Sequence, residues 1–250
     1  MEKLVMAKTV FITGASSGLG RGIAYEMAAR GYNVAMAARR PLQDMAAEIA
    51  SKHNVVAKGY ELDVTDGDAV GNCLRQVAAE FYSLDVIIAN AGIADTMFIG
   101  SGDFAAVKAI VDTNVLGLMA TVESALPVLR EQGSGQIVGM SSVAGERGMP
   151  GLAVYCASKS AVTTYMKALQ AETYSENIDV TLLAPGYIST PLNEGVKSRP
   201  FVVDLETGVR QLVDKIERKV SFSYVPTWPW IIVGRLLRYL PNRFLAKQKH

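Results

Sequence analysis

The sequence predicts a single α/β domain, and three observations carry that expectation. Short β-branched runs alternate with helix-period segments along most of the chain, and a glycine loop follows the first of those runs at once. At 250 residues, half of them hydrophobic, the chain can bury one large core but has no comfortable room for a second domain.

The elements follow in order. Thr9 to Thr13 (TVFIT) reads as a buried strand, and Gly14, Gly18 and Gly20 then open a helix that Gly31 ends. Such a loop lets a backbone approach a pyrophosphate, and the helix start offers it free N–H groups and a positive dipole end. Taken without its flanks, the same glycine run also reads as a flexible turn. Asn33 to Ala38 is a second strand, followed by Arg39 and Arg40. In a dinucleotide fold an acidic side chain at this point accepts from the adenosine ribose, whereas arginine pairs with a 2′-phosphate. The two arginines therefore favour NADP(H) over NAD(H); their plainer reading is a solvated charge pair.

Residues 42–53 read as a helix and 55–64 as a third strand, whose end carries Asp63 and Val64. A helix reaching about Tyr82 leads to a fourth strand over 84–92, ending at Asn90, Ala91 and Gly92, where small side chains leave room for a flat ring. The helical stretch from Phe104 to Glu131 holds Asn114 among apolar residues, ordinarily the mark of a satisfied buried polar group. A fifth strand over 136–142 delivers Ser141 and Ser142, a helix runs from Tyr155 to about Tyr174, and 179–186 is the sixth strand. A helix from Asp204 to Lys219 and a last strand over 221–224 complete the pattern.

Composition excludes several classes of function. The formal net charge is +1, with no basic stripe through the main body, which excludes nucleic-acid binding. Cys73 and Cys156 form no disulfide framework or C-x-x-C pair; they read as reduced thiols of a cytoplasmic protein, and no metal site is expected. The opening MEKLVMAKTVFITG reads as a strand running into a glycine turn rather than a signal peptide, and no stretch reaches the ~18 consecutive apolar residues of a spanning helix.

Chemistry concentrates between Ser141 and Lys159 (SSVAGERGMPGLAVYCASK). Tyr155 and Lys159 are spaced i and i+4, so a helix places both on one face. A cation ~4 Å from a phenol at an effective dielectric of ~20 is worth about 4 kcal/mol, enough to lower its pKa by up to roughly three units. The phenol then becomes a usable proton donor and acceptor, with the Ser142 hydroxyl able to reach the same oxygen. The pair alone also reads as an ordinary amphipathic pair.

Together these residues resemble the short-chain dehydrogenase/reductases in their compact form, over at least Lys8 to Pro191. The match lies in TGASSGLG (Thr13 to Gly20), NAG (Asn90 to Gly92), Asn114, Ser142 ahead of YCASK (Tyr155 to Lys159), and PGYIST (Pro185 to Thr190), in this order. The resemblance implies a Rossmann-type doubly wound sheet of about seven parallel strands flanked by helices, and a homodimer or homotetramer assembled through the helices beginning near Phe104 and Tyr155. It assigns the cofactor to Gly14, Ser16, Ser17, Gly18, Leu19, Gly20, Arg39, Arg40, Asp63, Val64, Asn90, Ala91, Gly92, Pro185, Gly186, Ile188 and Thr190, together with Tyr155 and Lys159. By the same resemblance Tyr155 is the general acid in reduction and the base in oxidation. Lys159 lowers its pKa and binds the nicotinamide ribose, Ser142 polarises the substrate oxygen, and Asn114 anchors a water that completes a relay through Lys159. The expected activity is NADPH-dependent interconversion of a carbonyl and a secondary alcohol, on a small-molecule substrate. An NADP(H)-binding sensor without turnover is the alternative, and an epimerase or dehydratase ranks below both.

The chain becomes individual after Thr190. Residues 186–210 are rich in turn formers and read as a substrate lid. The tail 226–250 combines Trp228, Trp230, Ile231, Ile232, Leu236, Leu237, Leu240 and Phe244 with Arg235, Arg238, Arg243, Lys247 and Lys249, and has no acid. It suits an anionic membrane surface, but Pro226, Pro229 and Pro241 cut it into short pieces and favour packing on the cleft or on a neighbouring subunit. As a greasy wall it would select a bulky or lipid-like substrate.

Overall fold

Residues 7–193 and 199–246 are described by the computed structural model. Strands β1 (Thr9–Thr13), β2 (Asn33–Ala38), β3 (Ala57–Glu61), β4 (Val86–Ala89), β5 (Gly135–Met140), β6 (Ile178–Pro185) and β7 (Phe222–Val225) form one sheet in the order β3-β2-β1-β4-β5-β6-β7. All six pairings are parallel. The order reverses between β1 and β4, which leaves a crevice at their carboxyl ends.

Parallel strands buried on both faces need apolar residues at every position, and β1 and β4 are buried throughout. Alternation sends Phe11, Ile87 and Ile137 to one side of the sheet and Val10, Ile12, Ile88 and Val138 to the other. The first side is covered by α3 (Gly67–Glu80), α5 (Gly117–Gln132) and α6 (Ala153–Glu172). The second is covered by α1 (Gly18–Ala29), α2 (Gln43–His53) and α7 (Leu205–Glu217). Arg30 ties α1 to α7 through Glu26, Asp214 and Glu217.

Several elements depart from the sequence reading: the fourth strand is Val86–Ala89 rather than 84–92, and the fifth strand, the sixth strand and the helix carrying Tyr155 are displaced by one or two residues at their ends. The third strand is shorter at both ends than 55–64; Leu62 makes the last bond to β2, donating to the Ala38 carbonyl at 2.9 Å, and Asp63 then accepts from Thr65 in a turn. The last strand runs one residue further than expected, to Val225. The helix expected as one piece from Phe104 is α4 (Phe104–Val111), a π turn over Asp112–Leu116, and then α5. A π turn inserts an extra residue into the helical ladder, and here it carries Asn114 inward. By length and composition the run 104–132 could cross a membrane; in this fold α5 packs one face on the sheet, while Phe104, Val111 and Leu116 remain exposed along the run.

In the tail, α8 (Thr227–Leu237) and α9 (Asn242–Ala246) follow β7. Trp230 is buried with Val143, Ala184 and Tyr224, which holds α8 against the sheet edge. Residues 194–198 of the lid segment and 247–250 of the tail lie outside the described residues.

The loop after β1 reaches the crevice only because its glycines carry no side chain. A Cβ on Gly20 would meet the Gly14 carbonyl oxygen at 2.4 Å and Asn90 Nδ2 at 2.5 Å. Gly20→Ala is therefore expected to lower stability by about 1–3 kcal/mol in urea denaturation. Gly67→Ala, whose Cβ would meet only the Ala120 methyl at 3.9 Å, is expected to be neutral or stabilising.

Candidate active site

The crevice is a cleft of about 850 Å³ lined by the ends of β1 to β6 and the segments beyond them. Every residue expected at the site from the sequence lines it, with one exception, Asn114.

At one end, the loop Gly14–Gly18 enters α1. Gly14 takes φ +68°, and a Cβ there would stand 2.8 Å from Ala91 Cα, so only glycine permits the two loops to touch. Thr13 fastens them: its Oγ1 accepts from the N–H groups of Asn90 (3.0 Å) and Ala91 (3.1 Å), while Asn90 Nδ2 donates to the Thr13 carbonyl at 2.9 Å. Ser17 caps α1 with extended backbone but no side-chain hydrogen bond, and no acidic residue occupies the first turn. The first-turn N–H groups are thus left for an anion, beside a glycine cradle that a Cβ would fill. These features fit the pyrophosphate of a dinucleotide.

Beyond the loop, Arg40 donates to Ser16 Oγ through Nη2 (3.0 Å) and Nε (3.3 Å), closing one wall. Asp63 is held below its ordinary carboxylate range, first by the Thr65 backbone N–H and also by the nearby Arg39. Two exposed guanidinium groups and Asp63 therefore face the same corner.

At the other end, β5 delivers Ser141 and Ser142 to opposite faces. Ser141 is buried and bonded to the Lys159 carbonyl (2.9 Å) and Thr163 (2.7 Å). Ser142 faces the cleft, accepting from the Ala144 N–H at 3.1 Å. Tyr155 and Lys159 come off one face of α6 beside it, with the Lys159 ammonium 5.8 Å from the phenol ring centre.

The expectation that the ammonium depresses the Tyr155 pKa is not met in this structure. Burial pushes the phenol up, and the Ser142 hydroxyl opposes that only in part. Lys159 is 5% exposed, donates to the Met140 carbonyl at 2.9 Å, and has its own pKa brought down by burial to about 8. The ammonium is thus engaged with backbone rather than with the phenol oxygen.

Asn114 is the satisfied buried polar group that its apolar surroundings suggested. It is 1% exposed and stands behind the cleft wall. Its Oδ1 accepts from Ile93 N–H (2.7 Å), and its Nδ2 donates to the Ile93 carbonyl (2.8 Å) and Ser158 Oγ (3.1 Å). Ser158 in turn donates to the Tyr155 carbonyl at 2.7 Å. Asn114 therefore joins the strand-end loop to α6. Sequence reading missed Ser158, Thr13 and Ile93, although Thr13 stands at the strand end of the glycine motif.

The open side of this end is lined by Ile93, Ala94, Met149, Leu152, Tyr187 and Leu192, with Asp95 and Thr96 at its margin. Behind Tyr187 lies Trp230, ring centres 6.2 Å apart, and a Cβ on Gly186 would meet Trp230 Nε1 at 2.2 Å.

Comparison with known proteins agrees with the fold and identifies the family. The short chain dehydrogenase family profile matches residues 8–200. An uncharacterised oxidoreductase of Mycobacterium tuberculosis is 39% identical over 97% of this chain and 98% of its own length. An NADP-dependent 3-hydroxy acid dehydrogenase of Schizosaccharomyces pombe is 35% identical over 73% of this chain and 72% of its own. A short chain dehydrogenase/reductase of Burkholderia phymatum, solved with NAD, superposes with a TM-score of 0.81 over 98% of this chain and 96% of its own, at 20% identity.

Two stability measurements check this geometry. Between its folded pKa of about 8 and its ordinary 10.5, Lys159 binds its proton more tightly in the unfolded chain. Its destabilising effect is thus complete below pH 8 and fades as pH rises through that window. Lys159→Met is expected to be the more stable protein at neutral pH, by at most about 3 kcal/mol, with the difference shrinking toward alkaline pH in paired urea titrations. Asn114→Ala is expected to lose about 1–3 kcal/mol, because the Ile93 backbone groups are left without their partners.

Proposed function

The chain belongs to the short chain dehydrogenase family, an oxidoreductase acting on CH–OH groups, and from that premise we propose that it is an NADPH-dependent carbonyl reductase with Tyr155 as its general acid and base. The observation that carries this reading is the convergence of Ser142, Tyr155 and Lys159 at one end of a cleft whose other end holds Arg39 and Arg40.

The glycine loop and the open first turn of α1 would hold the pyrophosphate, Arg39 and Arg40 the 2′-phosphate, and Asn90 to Gly92 with Pro185 to Thr190 the nicotinamide half. When bound, this cofactor supplies the hydride for reduction and accepts it for oxidation. The protein's own part is the proton and the positioning. Tyr155 keeps its proton at neutral pH, since burial favours the neutral phenol, and so is ready to donate it to a carbonyl oxygen. Ser142 Oγ, directed into the same space, holds that oxygen. Lys159, with its proton loosely held, stands ready to supply charge beside the phenol, and Asn114 acts as a positioning residue through Ile93 and Ser158.

The apolar wall from Ile93 to Leu192, backed by Trp230, supports a bulky or lipid-like substrate. The exposed apolar side chains of α4 and the π turn support assembly as a homodimer or homotetramer, and the buried free thiols Cys73 and Cys156 support a reducing, cytoplasmic setting.

NADPH and NADH oxidation with carbonyl compounds graded in bulk and chain length tests the reading. Turnover is expected with NADPH and with the bulkier members. Tyr155→Phe is expected to lose about 10²–10⁴ in rate while still binding NADPH. Near-wild-type turnover in that variant would remove Tyr155 from the mechanism. Replacing both Arg39 and Arg40 by alanine is expected to weaken NADPH far more than NADH in fluorescence titration, and equal losses would remove the 2′-phosphate assignment.

A further inference from the structure

The C-terminal tail carries a surface that neither the cleft nor the sheet uses. On α8, Trp230 and Gly234 face inward, whereas Ile232 and Leu236 lie on the outer side, and Tyr239 follows them in the turn just past the helix end. Leu236 is 61% exposed and Tyr239 81% exposed; Trp228, just before them, is 71% exposed, and Phe244 on α9 is 50% exposed. Large apolar and aromatic side chains left open in succession mark a contact surface.

The charge around this surface selects what it contacts. From Arg218 to the end the chain has no Asp or Glu, while Arg235, Arg238 and Arg243 accompany the apolar face. Arg238 is paired with Glu146. Among the described residues, no acid pairs with Arg235 or Arg243. A second copy meeting this face through a two-fold axis would set the same cations against each other. An anionic bilayer satisfies both features, since tryptophan and tyrosine settle at the headgroup level and arginines meet the lipid phosphates.

The tail is also held firmly enough to act as a platform. Glu146 accepts from Tyr224 Oη (2.8 Å) and from Arg238, and Arg147 donates to the Arg238 carbonyl (3.1 Å) and to Asn242. These ties attach α8 and α9 to the short 3₁₀ turn Val143–Glu146 that comes directly after Ser142.

We propose that the outer face of α8 and α9 docks the protein on an anionic lipid surface, with Trp228, Leu236 and Tyr239 in the headgroup layer and Arg235 and Arg243 on the lipid phosphates. Trp230, on the inner side of the same helix, packs on Tyr187 in the cleft wall, so docking places the substrate end of the cleft close to the bilayer. The inference stands apart from the catalytic reading, because lipid contact needs neither cofactor nor turnover.

The test uses the full chain with vesicles of phosphatidylcholine alone or mixed with phosphatidylglycerol. Trp228 and Trp230 are the only two tryptophans, so intrinsic fluorescence reports on the tail itself. Expected are sedimentation with the anionic vesicles alone, a blue shift that Trp228→Phe removes, and release at high salt. Arg235→Glu combined with Arg243→Glu, and separately Leu236→Ser, should each lower vesicle partitioning at least about tenfold. Circular dichroism and NADPH oxidation should be unchanged in both variants, whose substituted residues are exposed. Absence of vesicle binding, equal binding to neutral and anionic vesicles, or wild-type binding by both variants would each overturn the proposal. So would a concentration-dependent dimer that Leu236→Ser abolishes without any vesicle association, which would assign the face to a second copy.

Discussion

Contact between two loops governs this molecule. The loop after β1 and the loop after β4 meet where the strand order reverses, and they meet at backbone distance, because Gly14 and Gly20 put nothing between them. Thr13 then converts proximity into order by accepting two backbone N–H groups from the neighbouring loop. Without that approach the start of α1 would not point its open first turn along the cleft, and the strand end carrying Asn90 to Gly92 would not form the opposite wall. Parallel β-sheets always leave a crevice at such a reversal; here a few small side chains decide its width.

The other end of the cleft depends on burial of charge. Lys159 lies at the carboxyl end of β5 with the Met140 carbonyl as its hydrogen-bond acceptor, and burial lowers its pKa. A buried ammonium is unfavourable for folding, whereas a lysine whose proton is loosely held can respond to what enters the cleft. The same burial keeps Tyr155 protonated. Stability is thus given up at the position where the proposed chemistry needs a responsive cation, a common signature of functional sites.

Much of this was legible in the sequence, for physical reasons that differ along the chain. β1 and β2 were readable to the residue, because buried parallel strands bounded by glycine or arginine leave little choice of ends. The glycines, Ser142, Tyr155 and Lys159 could be placed together because strand ends and helix spacing fix them. The π turn was not readable, since its residues have ordinary helical periodicity and the extra residue is selected by a tertiary demand, the Ile93 backbone groups that Asn114 satisfies. Nor was the direction of the Tyr155 pKa shift. Spacing on a helix gives the distance between two side chains but says nothing of the carbonyl that competes for one of them or of the solvent both have lost.

The tail illustrates how an individual function can be attached to a general fold. The family profile ends at residue 200, and the rest of the chain supplies Trp230, which packs against Gly186 and Tyr187. Gly186 is at the end of β6, in the cleft wall, and only its missing side chain admits the indole. Glu146 and Arg147, a few residues beyond Ser142, hold the other side of the tail. The same short segment that carries Ser142 into the cleft therefore also anchors α8 and α9 outside it. A load applied to the tail, whether by a lipid surface or by another protein, reaches the cleft through two contacts rather than one. The position of the Ser142 segment and the orientation of the outer face are consequently coupled by packing, and changes on one side must be accommodated on the other.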